Sequence, residues 1–230
     1  QTGLNAGDEG RLSGFPTDPE LVNRFDAVVL DARALDALGA KGLEALVGFV
    51  DRRGGGLLVL GPAENVPEAL RDLLPVPPVP AGSLKGRERL ETSRDFIFTE
   101  DPGQILADGA GLVVPPGGPV WLTSALKRSA RSATTLRGSN VSALSAQSYG
   151  SGRVAYLGLE TSWQWRLASS AGERSHNAFW HALLVWLAST GKPRLRMVAD
   201  GAKAGIGEPV ALDVNVLGRD FLPAPDARIT

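Results

Sequence analysis

The sequence predicts an α/β fold: a mostly parallel sheet flanked by helices, followed by the opening strands of a β-sandwich. Three observations carry this expectation. The apolar run Asp26-Ala-Val-Val-Leu-Asp31 is followed by a helical stripe and then by a second apolar run, Leu57-Leu-Val-Leu60. Two further extended runs, residues 142–148 and 153–159, flank the turn Tyr149-Gly-Ser-Gly152. Beyond residue 193 the pattern changes to short strands without helices.

The first twenty residues are rich in Gly, Asp and Pro and show no period, and residues 1–14 are expected to form a flexible tail. A turn follows at Phe15-Pro16-Thr17. The run over residues 26–31 is short and continuously apolar, as a strand buried on both faces is. Leu43, Leu46, Val47 and Val50 then fall at i, i+3, i+4 and i+7, one face of a helix. Arg52 and Arg53 suit its last turn, where cations meet the negative end of the helix dipole. Gly54–Gly56 stop it, because glycine adopts the left-handed conformation that helix ends use. Strand, helix and strand in one short span make a βαβ unit with parallel strands.

A short helix is expected over residues 68–74, ended by the prolines of Pro75-Val-Pro-Pro-Val-Pro80. Residues 81–118 read as a long excursion with short strands, one of them around Phe96-Ile97-Phe98. The runs 142–148 and 153–159 predict a β-hairpin. A helix capped by Ser175 follows, with Phe179, Leu183, Trp186, Leu187 and Thr190 on one face and Gly191 and Pro193 at its end. Residues 195–198 and 210–216 read as strands, with a turn at Gly205-Ile-Gly-Glu-Pro209. So few strands cannot close a sandwich. The division expected is a tail over 1–14, an α/β domain over 15–192 and a truncated sandwich over 193–230.

Composition sets limits on function. The 24 Lys+Arg nearly balance 25 Asp+Glu, so the chain lacks the field that non-specific nucleic-acid binding uses. The densest basic stretch, Lys127, Arg128, Arg131 and Arg137, reads as a solvated face. The absence of cysteine removes disulfides, thiolate metal sites and thiol catalysis together. The longest apolar helical run, residues 179–188, is about half of the ~20 residues that span a bilayer, so this segment is not expected to insert into a membrane. The chain begins at Gln1 and ends at Thr230 on the approach to a strand, so it is expected to be a piece of a longer protein.

Phe25-Asp-Ala-Val-Val-Leu30 and the run Gly-Gly-Gly-Leu-Leu-Val-Leu-Gly ending at Gly61 resemble the class I glutamine amidotransferase-like fold, a flavodoxin-like architecture. Tyr149-Gly-Ser-Gly-Arg-Val-Ala-Tyr-Leu-Gly-Leu159, Trp163-Gln-Trp-Arg166, His176 and Phe179-Trp180 are similar to the amidotransferase-like domains of large bacterial envelope proteins. The resemblance covers about residues 15–190. Glu208-Pro-Val-Ala-Leu-Asp-Val-Asn-Val216 looks like the start of an immunoglobulin-like domain. The resemblance implies a membrane-anchored parent that carries this segment in the periplasm or outside the cell. It also implies a cysteine on the turn after residues 57–60, with a His and a Glu after a late strand. Here the turn reads Gly61-Pro-Ala-Glu64, which matches Ala63 to the nucleophile, and the late position holds Glu160 without a His. The expectation is therefore a pseudoenzyme, a binding or scaffolding module with a protein or carbohydrate partner.

Two rival readings use the same region. A Ser162, His176 and Glu160 triad would make a hydrolase, although Ser162 is not on a G-x-S-x-G elbow. Trp163 and Trp165, with Tyr149, could form a carbohydrate platform. Glu160, Trp163, Trp165, Arg166 and His176 are the candidate ligand-binding residues, placed at the carboxyl end of the last sheet strand, where open α/β sheets hold ligands. The alternative is structural: the tryptophans plug the gap beneath the last helix while Arg166 pairs with Glu160 or Glu173. His176 and His181 lie five residues apart, which turns them away from each other on a helix. No metal or cofactor is expected. Gly54–Gly56 precede a strand, whereas phosphate-binding glycines follow one.

Overall fold

The computed structural model describes residues 15–84, 86–92, 113–114, 119–168, 170–189, 195–199 and 212–216. The tail, the segment around Phe96, Thr190 to Pro193, the turn at Gly205 and the chain after Val216 lie outside the described residues.

The elements are α1 (Pro19–Val22), β1 (Ala27–Asp31), α2 (Gly39–Asp51), β2 (Gly56–Leu60), α3 (Glu68–Arg71), β3 (Gly82–Ser83), β4 (Glu88–Thr92), β5 (Val113–Val114), β6 (Pro119–Val120), β7 (Arg131–Leu136), β8 (Ser142–Tyr149), β9 (Gly152–Leu157), α4 (Trp163–Ala168), α5 (Ser170–Ala188), β10 (Leu195–Ala199) and β11 (Leu212–Val216). Seven strands form one mixed sheet in the order β1-β2-β9-β8-β7-β4-β5. β1, β2 and β9 run parallel, and the remaining neighbours pair antiparallel.

The expected βαβ unit is β1-α2-β2, and the expected hairpin is β8-β9, closed at Gly150 with φ 53°. Gly54 ends α2 with φ 80°, the conformation that glycine adopts without steric cost. The α2 stripe buries Leu46, Phe49 and Val50 at 1% exposure or less, against Leu57, Val59, Val154 and Tyr156 of the sheet. On the opposite face α5 buries Phe179, Leu183 and Leu187 against Leu58, Ala155 and Leu157. Side chains that alternate along β2 and β9 therefore serve two cores, one on each face.

Two expectations need correction. β1 is not buried on both faces: it is the sheet edge, and Val29 is 43% exposed. A continuous apolar run does not distinguish a central strand from an edge strand with apolar neighbours, and of β1 and β2 it is β2 that is buried on both faces. Ser175 does not cap the last helix, because α5 begins five residues earlier and encloses Ser175 as a buried helical residue. β10 and β11 pair antiparallel as a sheet of their own.

Candidate functional site

The carboxyl ends of β1, β2 and β9 lie side by side. The chain leaves β2 toward the α2 face, where Leu70, Leu73 and Leu74 join that core. It leaves β9 toward the α5 face, where Leu159 and Trp165 join the other. Diverging exits from neighbouring parallel strands open a crevice in α/β sheets. Here Gly61, after β2, and the Glu160 side chain, after β9, meet between the two exits.

The bend after β2 is at Gly61, with φ 85°, two residues before the position matched from sequence. Ala63 is fully buried and pairs in an isolated bridge with Val79, whose N–H donates to the Ala63 carbonyl at 3.1 Å. Pro62 follows a residue whose φ only glycine adopts easily, so the turn happens before Ala63 is reached. A Cβ added to Gly61 would stand 2.8 Å from Glu160 Oε1. The Glu160 carboxylate thus fills the space that a side chain on this bend would use.

Glu160 accepts a charge-assisted hydrogen bond from Arg33, whose guanidinium also meets Asp31 Oδ2 at 3.2 Å. Asp31 caps the turn after β1 by accepting from the Arg33 N–H at 2.8 Å. The Arg33 guanidinium is held even more firmly protonated than usual, chiefly by its hydrogen bond to Glu160. The pair links the ends of β1 and β9 across β2. Glu64 accepts from Trp121 Nε1 at 2.9 Å and from the Ala81 N–H at 2.8 Å, which ties the loop after β2 to neighbouring segments. Beneath them the Tyr156 hydroxyl donates to the Gly61 carbonyl at 2.8 Å. Burial, then the Glu160 and Glu64 charges, push the phenol above its usual range.

The structure separates the residues grouped from sequence. Glu160 lies beside Gly61 at the strand ends. Trp163 and Trp165 fall on α4, where Trp163 is 56% exposed and Trp165 only 3%. Trp165 meets Phe179 edge-on at 5.5 Å between ring centroids and His176 at 6.3 Å, and His176 in turn faces Trp180. Arg166 is exposed and pairs with Glu173 at 3.3 Å, one of the two partners expected. Ser162 is buried immediately before α4, and His181 is exposed. Of the basic stretch, Lys127 bonds the Arg71 carbonyl and Arg137 pairs with Glu91 at 3.0 Å.

Asp31, Arg33, Glu64, Trp121 and Tyr156 were not singled out in the sequence. Asp31 and Arg33 had a signal, since Asp31 ends a parallel strand and Arg33 follows it; Trp121 comes from a distant segment and had none. Among the described residues no cluster of His, Asp or Glu could hold a metal ion, and no helix is long and apolar enough to cross a membrane.

No protein-family model matches the chain, and no curated protein does. Among solved structures, the chain is similar to a cytoplasmic protein of Salmonella typhimurium LT2, with a TM-score of 0.51 and 17% identity over 77% of each chain. A second cytoplasmic protein of that species gives 0.48 and 16%, over 72% of this chain and 76% of that one. Gan42B, a GH42 β-galactosidase of G. stearothermophilus, gives 0.47 and 15%, over 78% of this chain and 24% of its own. The first likeness speaks for the fold alone.

Proposed function

We propose that this chain is a non-catalytic, flavodoxin-like amidotransferase-like domain, a binding or scaffolding module of a larger membrane-anchored bacterial envelope protein. In this reading β10 and β11 open an immunoglobulin-like sandwich, and the segment works in the periplasm or outside the cell. One observation carries the loss of catalysis. The residue that the resemblance matches to the nucleophile, Ala63, is a buried methyl, and the Glu160 carboxylate lies over the Gly61 bend before it, tied to Arg33. An activated nucleophile needs a reactive atom beside a base and a polarity that favours its charged form. This bend has neither, and its nearest charged group is an anion.

Ammonia release from glutamine tests the reading. No turnover above buffer is expected; turnover that disappears in Glu160→Gln or Arg33→Ala would overturn it. Carbohydrate binding is favoured by one observation, the exposed indole of Trp163. Trp165 is buried and adds no second face to such a platform. Fluorescence titration of the chain and of Trp163→Ala with cell-wall saccharides separates the two readings, since a shift that Trp163→Ala abolishes is expected only for a sugar site.

A further inference from the structure

β1 is an edge of the seven-stranded sheet, and only part of its backbone is engaged there. The Gly56 N–H donates to the Asp26 carbonyl at 3.0 Å, which sets the phase of the parallel ladder with β2. Alternate residues of a parallel strand bond the same neighbour, so Asp26, Val28 and Leu30 turn their peptide groups to β2. Ala27 and Val29 turn theirs the other way, and among the described residues no strand pairs with them. Proline, lysine and bulges commonly blunt such an edge, and Ala27 to Leu30 has none of them.

An apolar groove of about 510 Å³ runs along this edge, within the size range of ligand sites. Phe15, Phe25, Ala34, Ala37 and Leu38 line it together with β1, and every side chain in its lining is apolar. Val29 and Phe25 are 43% and 40% exposed. The groove thus joins apolar side chains to one polar wall made of backbone.

That combination selects among occupants. A hydrocarbon chain would satisfy the apolar lining but cover the Val29 N–H and C=O without giving them partners, which is costly. A helix spends its own backbone groups internally and has few to offer. An extended peptide meets both demands, because its backbone bonds Ala27 and Val29 while alternate side chains enter the groove. Charge adds a constraint. At the carboxyl end of β1 two carboxylates, Asp31 and Glu160, share the single guanidinium of Arg33. A basic residue at the end of the incoming segment suits that surplus, and an acidic one does not.

We propose that the β1 edge and its groove form a docking site for an extended segment of a partner protein, apolar at alternate positions and basic at its ends. β1 offers five residues, so a segment of similar length fills the edge. This names a surface for the protein partner of a binding module. It stands on β1 and its groove alone, so ammonia release from glutamine would sink the non-catalytic reading and leave this one intact.

The test is fluorescence anisotropy of a labelled peptide, Lys-Val-Thr-Val-Thr-Val-Lys, titrated with the whole chain. Saturable binding is expected, and the same peptide with glutamate at both ends should bind more weakly. Two further peptides carry N-methyl groups, one on its valines and the other on its threonines. Only one of these sets of N–H groups can face β1. One N-methylated peptide should therefore lose at least about tenfold in affinity while the other keeps most of it. Ala37→Arg, at an exposed position of the lining, should abolish binding. Val29→Pro removes an outward N–H, a change that edge strands tolerate, and should weaken binding about tenfold. Should Val29→Pro disturb the far-ultraviolet spectrum, the peptide series still decides. Equal binding of the parent and both N-methylated peptides would mean apolar adhesion without strand pairing and would overturn the proposal. So would the absence of saturable binding, or binding unchanged in both protein variants.

Discussion

The charged cluster at the strand ends and the aromatic cluster of α4 and α5 adjoin in the chain only after Glu160, and they differ in physical character. The strand-end cluster uses ordinary charged residues, with Arg33 56% and Glu160 25% exposed. The cluster uses the residues that look most like a site, yet Trp165 and Phe179 are each 3% exposed and pack edge to face. Position in the fold selects the first set and hydrophobic burial recruits the second. Tryptophans beside an arginine are therefore a weak sign of a ligand until their exposure is known.

The comparison can be broken most forcefully at Trp165. Trp165→Ala should cost about 3–5 kcal/mol of unfolding free energy, as large-to-small changes in a core do, read from urea denaturation. A loss below about 1 kcal/mol would remove the ring from the core. Gly61→Ala should cost about 1–3 kcal/mol, because φ 85° is strained for alanine and its Cβ would press on Glu160.

Tyr156→Phe should cost about 1 kcal/mol through the lost hydrogen bond to Gly61. It should also alter the alkaline limb of stability. The folded phenol titrates above its unfolded value, so above pH ~10 the unfolded chain gives up a proton that the folded chain keeps. The wild type therefore loses stability as pH rises through this region, and the variant should lose less. The smallest effects belong to the surface. Trp163→Ala and Arg166→Ala should each stay within about 0.5 kcal/mol of wild type.

Much of the fold was legible because its signals are local. The spacing of Leu43, Leu46, Val47 and Val50, the stop at Gly54 and the turn at Gly150 each name their element without tertiary information. The edge position of β1 was not legible, since Ala27 to Leu30 read alike for a central or an edge strand. The start of α5 was obscured by Ser175, which imitates a cap although it lies five residues inside the helix. Of the candidate site, Glu160 could be placed at a strand end from sequence. Its partner Arg33 could not, because their contact spans 127 positions and depends on β1 and β9 flanking β2. The turn over Gly61 to Glu64 was legible, but only the backbone shows that its sharp bend is made at Gly61 and that Ala63 has entered the core.

Installing a thiol where the bend is made probes most directly whether its surroundings can activate a nucleophile. Gly61→Cys would carry the only cysteine in the chain, and its rate of alkylation by iodoacetamide can be followed against pH. With Glu160 beside it and Arg33 already shared between two carboxylates, the thiolate should be no easier to form than in a free peptide, giving a midpoint at or above about pH 8.5. A midpoint below about pH 7 would reveal an environment that stabilises the thiolate, and would contradict the account of an inert bend.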